Sequence, residues 1–308
     1  MRVLFMGTPE FAVPTLEALI QEHEVIGVFT QPDKPKGRGK AMAFPPVKEK
    51  ALEHDIPVYQ PVKVREASVV EEIKEMAPEA IVVVAFGQIL PESILNIPKY
   101  GCINVHASLL PKYRGAAPMQ WSIIHGETET GITTMYMAKG LDTGDMILKA
   151  KITMDPKETG ETLHDKLSVL GGPLIIETLK QLEAGTAPRI KQDDSLSCYA
   201  SMLDKELGCI DWSKDAASIE RLIRGLNSWP SAYTFWNGKT LKIWNSDVVP
   251  YEGEEENGTV IAKDKLSFTV KCGENALKIL EVQLQGKKRM AAQAFLVGNQ
   301  VETGMRLG

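Results

Sequence analysis

The sequence predicts an α/β fold, in which a Rossmann-like, doubly wound and mostly parallel sheet is followed by a small C-terminal β-barrel of the OB-like kind. Two observations predict the sheet. Short apolar strands alternate with amphipathic helices over the first part of the chain, and AIVVVAFG is an uninterrupted apolar run, as in central parallel strands that are buried on both faces. A third observation predicts the barrel, because closely spaced short strands follow a single helix near the C-terminus.

The N-terminal elements come in the order that such a sheet requires. RVLFMG is the first strand, and Thr8 and Pro9 are the predicted cap and first residue of the following helix. After the second strand, EVIGVFT, a stretch without periodicity (QPDKPKGRGKAMAFPP) exceeds the usual connection of about 2–6 residues. Further strands are predicted at IPVYQP, AIVVVAFG, GCINVHA and MILKAKI, and helices at PVKEKALEHD, EASVVEEIKEMA and ETLHDKLSVLGGPLIIETLKQLEAG.

The pattern changes after this long helix, and the change sets the predicted domain boundaries. Residues 1–188 form the Rossmann-like domain, the polar and aperiodic residues 189–206 form a linker, and residues 207–308 form the barrel domain. In the barrel domain the helix AASIERLIRGLN precedes the strands AYTFW, TLKIWNSDVV, GTVIAK, LSFTVKC and ALKILEVQLQ.

Composition excludes several classes of protein. With 308 residues, 44% of them apolar and 24% charged, the chain has ordinary globular composition and room for two domains. It lacks both a run of about 18–20 apolar residues and a signal peptide, so we expect a cytoplasmic protein with no membrane association. The four cysteines are scattered without a Cys-x-x-Cys pair, which argues against a zinc site and a secreted disulfide framework. The net charge of −5 excludes nucleic-acid binding through overall charge, although four of the seven residues of KPKGRGK are basic.

The residues that best suit catalysis lie at the end of the GCINVHA strand. Asn104 and His106 are two positions apart, which places both side chains on one face near the sheet edge where α/β folds bind ligands. An asparagine amide offers two donors for an oxyanion, and a histidine can shuttle protons when a carboxylate orients it. Asp142, in GLDTGD, is the candidate carboxylate. Each residue taken alone is more often structural, so the prediction depends on the combination.

Other chemistries lack their signatures. The sequence has no Gly-x-Ser-x-Gly elbow for a serine hydrolase, and GTPEFA falls short of the Gly-x-Gly-x-x-Gly pattern of nicotinamide-dependent enzymes. Cys102 shares the strand face with Asn104, but a packed thiol is the favoured interpretation over a nucleophile.

HASLLPKYRGAAP, followed by GLDTGD, resembles the folate-dependent formyltransferase family. With MGTPEFAVPTLEAL, QPDKPKGRGK, AFGQILP and NSWPSAYT, the resemblance covers essentially the whole chain and is strongest to the branch that acts on initiator methionyl-tRNA. It implies an enzyme that transfers the formyl group of 10-formyltetrahydrofolate, a cosubstrate, to the free amino group of methionine on that tRNA. The product would be N-formylmethionyl-tRNA for translation initiation. No metal is implied, and without a recognisable dimerisation motif we expect a monomer.

The resemblance also implies roles for individual residues. Asn104 would hydrogen-bond the formyl oxygen, His106 would assist proton transfer, and Asp142 would orient His106 and help move the amine proton to the folate nitrogen. The residues implied to line the tetrahydrofolate site are Ser108, Leu109, Leu110 and Pro111. Those implied to hold the pterin, largely through backbone groups, are Phe86, Gly87, Gln88, Ile89 and Leu90, with Gly140, Leu141 and Asp142.

The same resemblance implies that a basic loop engages the acceptor stem of the tRNA. Its residues are Lys36, Gly37, Arg38, Gly39 and Lys40. Arg38 is the main candidate, because the flanking glycines let the backbone adapt to a phosphate or a splayed nucleotide.

In the barrel domain, a cluster of basic residues is the predicted tRNA contact. The cluster consists of Lys287, Lys288 and Arg289, and the residues that could extend it are Lys239, Lys242, Arg221 and Arg224. Trp229 and Trp244 could stack on bases, but we expect both to pack in the core.

Two alternatives stay open at this stage. An amino-sugar formyltransferase would use the same catalytic residues, but KPKGRGK, NSWPSAYT and the barrel domain count against it. A non-catalytic RNA-binding protein on a similar scaffold would not need Asn104, His106 and Asp142 together.

Overall fold

The computed structural model describes residues 1–36 and 41–308, without the side chains of residues 36 and 41. The chain divides into two compact units. The first unit comprises residues 1–115, 129–153 and 164–200, and the second comprises residues 116–128, 154–163 and 201–308. Two segments from the middle of the chain therefore belong to the C-terminal unit.

The first unit is built on a seven-stranded sheet with helices between its strands. The strands are β1 (Arg2–Gly7), β2 (Glu24–Phe29), β3 (Lys34–Lys36), β4 (Ala41–Ala43), β5 (Val58–Tyr59), β6 (Ala80–Val84), β7 (Cys102–His106), β8 (Arg114–Gly115), β9 (Glu129–Tyr136), β10 (Met146–Thr153) and β11 (Tyr199–Ala200). The helices are α1 (Val13–Glu22), α2 (Pro46–Glu53), α3 (Ala67–Met76), α4 (Glu92–Leu95) and most of α6 (Gly160–Glu183); α5 (Pro118–Ile124) belongs to the second unit.

The strand order in the large sheet is β10-β9-β7-β6-β1-β2-β5. The five strands from β7 to β5 are parallel to one another, and β9 and β10 form an antiparallel edge. Every residue of β6 is buried, as its continuous apolar sequence predicts. The predicted mostly parallel sheet is therefore confirmed.

Strand β9 has no counterpart among the predicted elements. Its threonines interrupt the apolar pattern, yet Thr130, Thr133 and Thr134 are buried. Burial is tolerated because their hydroxyls find partners; the hydroxyl of Thr134, for example, lies 2.8 Å from that of Thr178. Branching at Cβ also suits threonine to a strand.

The predicted cap of the first helix is wrong. A short 3₁₀ turn, Glu10–Ala12, follows Pro9 and has no side-chain cap, and α1 begins only at Val13. The Thr8 hydroxyl instead donates to the carbonyl of Phe86 at 3.0 Å. This bond ties the turn after β1 to the loop after β6.

The second unit is a curled antiparallel sheet that forms half a barrel, which confirms the predicted C-terminal architecture. Its helices are α5 (Pro118–Ile124), α7 (Ala216–Gly225) and α8 (Ala292–Gly298). Its strands are β12 (Tyr233–Trp236), β13 (Lys239–Val249), β14 (Val260–Lys263), β15 (Phe268–Lys271), β16 (Ala276–Leu284) and β17 (Met290–Ala291), in the order β12-β13-β16-β15-β14 with β17 beside β16. The core of this unit contains Ile219 and Ile223 of α7, Phe268 and Phe295.

Two central segments are tied to α7 within the second unit. The Arg221 guanidinium donates to the carbonyl of Ile124 at 3.2 Å. The Arg224 guanidinium donates to the carbonyl of Glu158 at 2.8 Å and forms an ion pair with Glu220. In the described ranges, no helix is both long and apolar enough to cross a membrane.

Candidate active site

Strand β7 places Asn104 and His106 on one face of the sheet. Asn104 lies opposite Val83 of β6 and Met135 of β9, and His106 lies opposite Thr133 of β9. Alternate residues of a strand share a face, so the two side chains point the same way. His106 is buried, with 6% of its surface exposed, and Asn104 is partly exposed.

Asp142 comes to this pair from the loop that joins β9 to β10. Its Oδ1 lies 3.5 Å from Nδ2 of Asn104, and its Oδ2 lies 3.7 Å from Nδ1 of His106. The N–H of Gly115 donates to Oδ2 at 2.8 Å. The structure therefore brings the three predicted catalytic residues together around one carboxylate.

A backbone carbonyl fixes the tautomer of His106. Nε2 lies 2.8 Å from the carbonyl oxygen of Tyr113, which can only accept a hydrogen bond, so Nε2 carries a proton. In the neutral imidazole, Nδ1 is then the free base, and it faces Asp142. His106 can therefore take up a proton at Nδ1, next to a carboxylate that stabilises the resulting imidazolium.

The segment after β7 is held by hydrogen bonds on both sides. Thr133 is central, since its hydroxyl donates to the carbonyl of Ser108 at 2.6 Å and accepts from the N–H of Leu110 at 3.1 Å. The Lys149 ammonium donates to the carbonyl of Leu110 at 2.6 Å. Ser108 and Leu110 are fully buried, whereas Leu109 and Pro111 are partly exposed. Of the four residues predicted to line the folate site, the latter two thus offer side-chain surface.

The predicted pterin loops combine buried anchors with exposed residues. Phe86 and Leu90 are buried, and the side chain of Gln88 donates to the carbonyl of Pro61 and accepts from the N–H of Val64. Gly87 is exposed, and Ile89 is 82% exposed. In the other loop, Gly140 is exposed and Leu141 is 54% exposed. Each loop therefore presents an apolar side chain to solvent from a fixed backbone.

Sequence reasoning missed Gln192 and Arg114. Gln192 lies in the predicted linker but is 5% exposed, and its Nε2 donates to the carbonyls of Asp142 and Gly144, each at 2.8 Å. Arg114 donates to Oε1 of Gln192 at 3.0 Å. The local sequence QDD is polar and aperiodic, so no pattern there indicates a buried glutamine.

Cys102 is a packed thiol. It is 3% exposed, and burial raises the pKa of its thiol to about 12, so the nucleophilic thiolate is scarce near neutral pH. It belongs to the wall of a cavity of about 650 Å³ whose other lining residues include Tyr100, Tyr136, Met137 and Arg189. Neither Asn104, His106 nor Asp142 is among the residues that line this cavity.

One residue of the predicted basic cluster in the second unit lies beside Trp244. Lys287, Lys288 and Arg289 are exposed, and Arg289 forms an ion pair with Glu281 at 2.6 Å. The guanidinium of Arg289 lies 4.7 Å from the centre of the Trp244 ring, and the Lys242 ammonium lies 5.6 Å from it. Lys242 and Arg289 thus form cation–π contacts with one partly exposed indole.

Two expectations about the second unit need correction. Arg221 and Arg224 do not extend the basic cluster as free charges, because both guanidinium groups are engaged by carbonyls within the unit and Arg224 also by Glu220. Trp229 was expected in the core, but it is 57% exposed. Its neighbour Pro230 is buried instead.

Four of the five residues of the predicted tRNA loop, Gly37, Arg38, Gly39 and Lys40, lie outside the described residues. Lys36 ends β3, and its side chain lies outside them as well. The residues that flank β3 and β4 are described: Lys48 forms an ion pair with Asp33 at 2.7 Å and donates to Gln60 at 2.9 Å. The hydrogen bond from Lys48 lowers the pKa of Asp33 below its ordinary value.

Comparison with known proteins identifies the family. The sequence model described as "Formyl transferase" matches residues 1–179, and the one described as "Formyl transferase, C-terminal domain" matches residues 202–300. The methionyl-tRNA formyltransferase of Geotalea daltonii is 57% identical to this chain, in an alignment that covers 100% of this chain and 98% of the relative. The methionyl-tRNA formyltransferase of Agathobacter rectalis is 56% identical, in an alignment that covers 99% of this chain and 98% of the relative. The chain belongs to the methionyl-tRNA formyltransferase family.

A solved formyltransferase structure agrees with this fold. The N-formyltransferase from Helicobacter canadensis, in complex with folinic acid and dTDP-3-aminofucose, aligns with a TM-score of 0.67 over 94% of this chain and 99% of its own, at 20% identity. Membership of the family confirms the predicted formyl-transferring activity and formyltetrahydrofolate as the donor. Among the described residues, no group of three or more potential metal ligands comes together.

Proposed function

We propose that this chain transfers the formyl group of 10-formyltetrahydrofolate to the free amino group of methionine on initiator methionyl-tRNA, giving N-formylmethionyl-tRNA for translation initiation. We further propose that it acts as a monomer in the cytoplasm. The observation that carries the chemistry is the placement of Asn104 and His106 within 3.5 and 3.7 Å of the Asp142 carboxylate. Full-length relatives of that name support the choice of substrate.

In the proposed reaction the amine is the nucleophile, so no covalent enzyme intermediate is required. Asn104 donates to the formyl oxygen as negative charge develops there; its bond to Asp142, at 3.5 Å, is long and readily exchanged for this one. His106 takes the amine proton at Nδ1. The carboxylate of Asp142 stabilises the imidazolium, and the proton passes on to the folate nitrogen as the C–N bond breaks.

Asp142 has room to respond to this change of charge. Its distance of 3.7 Å from Nδ1 exceeds a hydrogen bond of about 2.7–3.2 Å, so a movement of less than about 1 Å makes one when His106 is protonated. Meanwhile the N–H of Gly115 holds Oδ2 at 2.8 Å. The oxygen that faces Nδ1 is therefore the same one that Gly115 holds, so the movement toward His106 has to keep or exchange this hydrogen bond.

The described residues fit a formylated folate. Asn104 and His106 supply a donor and an acceptor for the reacting group, and Ile89 and Leu141 expose large apolar side chains in the two loops proposed to hold the pterin. The proposal requires that the bound folate covers these two side chains, since ligand sites are lined mainly by apolar groups. When bound there, the folate supplies the activated formyl group.

For the tRNA, we propose contacts by the loop of residues 36–40 and by Lys287, Lys288 and Arg289. The cations beside Trp244 combine charge with an aromatic ring, which suits a phosphate backbone and a stacked base. Each lost phosphate contact should reduce the salt dependence of tRNA binding by about 0.7–0.9 in the slope of log K against log salt.

The test uses purified protein, methionine-charged initiator tRNA and labelled 10-formyltetrahydrofolate, with label counted in acid-precipitable RNA. Replacing Asn104 with alanine should lower the rate about 100- to 1000-fold, since one oxyanion donor is lost. Gln181→Ala is the control, because the side-chain amide of Gln181 donates to Glu177 of the same helix at 2.7 Å and belongs to none of the proposed contacts. Formylation of an amino-sugar nucleotide in place of the tRNA would overturn the substrate, and an active Asn104→Ala variant would overturn the site.

A further inference from the structure

The side chain of Gln192 holds the backbone of the loop that carries Asp142. Both hydrogens of its side-chain amide are used, one on the carbonyl of Asp142 and one on the carbonyl of Gly144, each at 2.8 Å. The side chain is almost completely buried, so water does not compete for these bonds. A single amide thus closes the turn that carries the Asp142 carboxylate.

The orientation of this amide is itself fixed. Nε of Arg114 donates to Oε1 of Gln192 at 3.0 Å, and a guanidinium cannot accept, so the amide oxygen must face Arg114. Arg114 is held in turn by Asp194 at 2.8 Å. Since the next residue, Gly115, donates its N–H to the Asp142 carboxylate, the Arg114–Gly115 dipeptide acts on both the side chain and the backbone of Asp142.

The loop needs such support because its conformation is unfavourable. Asp142 has φ +51°, in the left-handed region that residues other than glycine rarely adopt. At Gly144, an added Cβ would overlap the carbonyl oxygen of Tyr136, so the chain passes itself closely there. The segment that bears Gln192 is docked alongside: Ile190 and Met146 exchange two backbone hydrogen bonds of 2.8 and 2.9 Å.

We propose that Gln192 is a positioning residue for the formyl transfer, and that it acts by holding the strained backbone of Asp142 so that the carboxylate reaches both Asn104 and His106. This inference rests on the proposed function. It also gives residues 189–192, which the sequence pattern places in a linker, a part in the catalytic unit.

Gln192→Met keeps the length of the side chain and removes both donors, and Gln192→Glu keeps the contact with Arg114 while setting a carboxylate against two carbonyls. Either change should lower kcat about 10- to 100-fold, because small misplacements of a reacting group have effects of this size. The KM for tRNA should stay within about twofold, and Gln181→Ala should match the wild type. If wild-type protein does not formylate the tRNA, the proposed function fails; if it does and both Gln192 variants equal it, this inference fails.

A double-mutant cycle separates positioning from a general loss of structure. In protein that already carries Asp142→Ala, there is no carboxylate to place, so Gln192→Met should lower kcat less than twofold further. If the two effects multiply, Gln192 acts independently of Asp142 and the inference is overturned. The thermal midpoint of each variant is recorded, and a variant that unfolds is replaced in the cycle by Gln192→Glu.

Discussion

Replacing His106 with glutamine tests the roles of its two ring nitrogens separately. The amide nitrogen of glutamine can take the place of Nε2 and donate to the carbonyl of Tyr113, which the histidine reaches at 2.8 Å. It has no counterpart of the basic Nδ1 that lies 3.7 Å from Asp142. The substitution should therefore preserve the fold and remove the proton acceptor.

The expected magnitudes follow from these two contacts. Loss of a general base lowers a rate by about 100- to 10,000-fold, so kcat of His106→Gln should fall into that range. Its free energy of unfolding should change by less than about 1 kcal/mol, because the buried hydrogen bond remains. In His106→Ala the carbonyl of Tyr113 loses its buried donor, which destabilises by about 1–3 kcal/mol before any cavity effect.

The assay is single-turnover formylation at saturating folate, together with urea unfolding of the three proteins. A glutamine variant with more than a tenth of wild-type activity would refute the role of Nδ1. A glutamine variant as unstable as the alanine variant would refute the assignment of the proton to Nε2. The two readouts are independent, so either half of the argument can fail alone.

Two further predictions concern thiols and acid stability. A thiol reagent near pH 8 should label Cys198 and Cys209 in the native protein and all four cysteines in urea. The reason is that Cys102 and Cys272 are buried, and burial raises the pKa of each thiol to about 12. Rapid labelling of all four thiols without urea would contradict this prediction. Asp215→Ala should lower stability by about 1 kcal/mol at pH 7, because Asp215 caps α7 through the N–H of Ser218 at 2.8 Å. Hydrogen bonds from the hydroxyl and N–H of Ser218 lower the pKa of Asp215. The contribution of Asp215 to stability is therefore complete above its ordinary pKa of 3.8 and is lost as the pH falls through the lower pKa of the folded state. The urea midpoints of wild type and Asp215→Ala should converge at that acidic pH, and a difference that persists there would contradict the cap.

The sheet and the placement of the candidate catalytic residues could be predicted because their signals are local. A continuous apolar run defines β6, and the two-residue spacing of Asn104 and His106 on β7 fixes a shared face. Strand β9 could not be predicted in this way, since its buried threonines become acceptable only through partners elsewhere in the fold, such as Thr178.

The contacts that hold the Asp142 loop could not be predicted, because they join residues far apart in the chain. Gln192 reaches Asp142 and Gly144 across about fifty positions, and a polar segment gives no sign of such a contact. Trp229 shows the opposite error: an aromatic residue in a structured segment is usually buried, but the chain buries Pro230 and leaves the indole in solvent. Local pattern cannot decide either case, because burial is a property of the assembled fold.

The allocation of residues 116–128 and 154–163 to the second unit has a consequence for recombination between genes. A crossover at residue 200 would combine α7 of one parent with α5 and residues 154–163 of the other parent. Arg221 of α7 binds a carbonyl of α5, and Arg224 binds a carbonyl of residues 154–163. The acceptors are backbone groups that any parental sequence supplies, but Ile124, Leu222 and Leu226 also pack in one apolar cluster of this unit. Chimaeras of family members should therefore assemble this unit only when they keep both arginines and matching apolar side chains, so the two central segments and the C-terminal third are expected to diverge together.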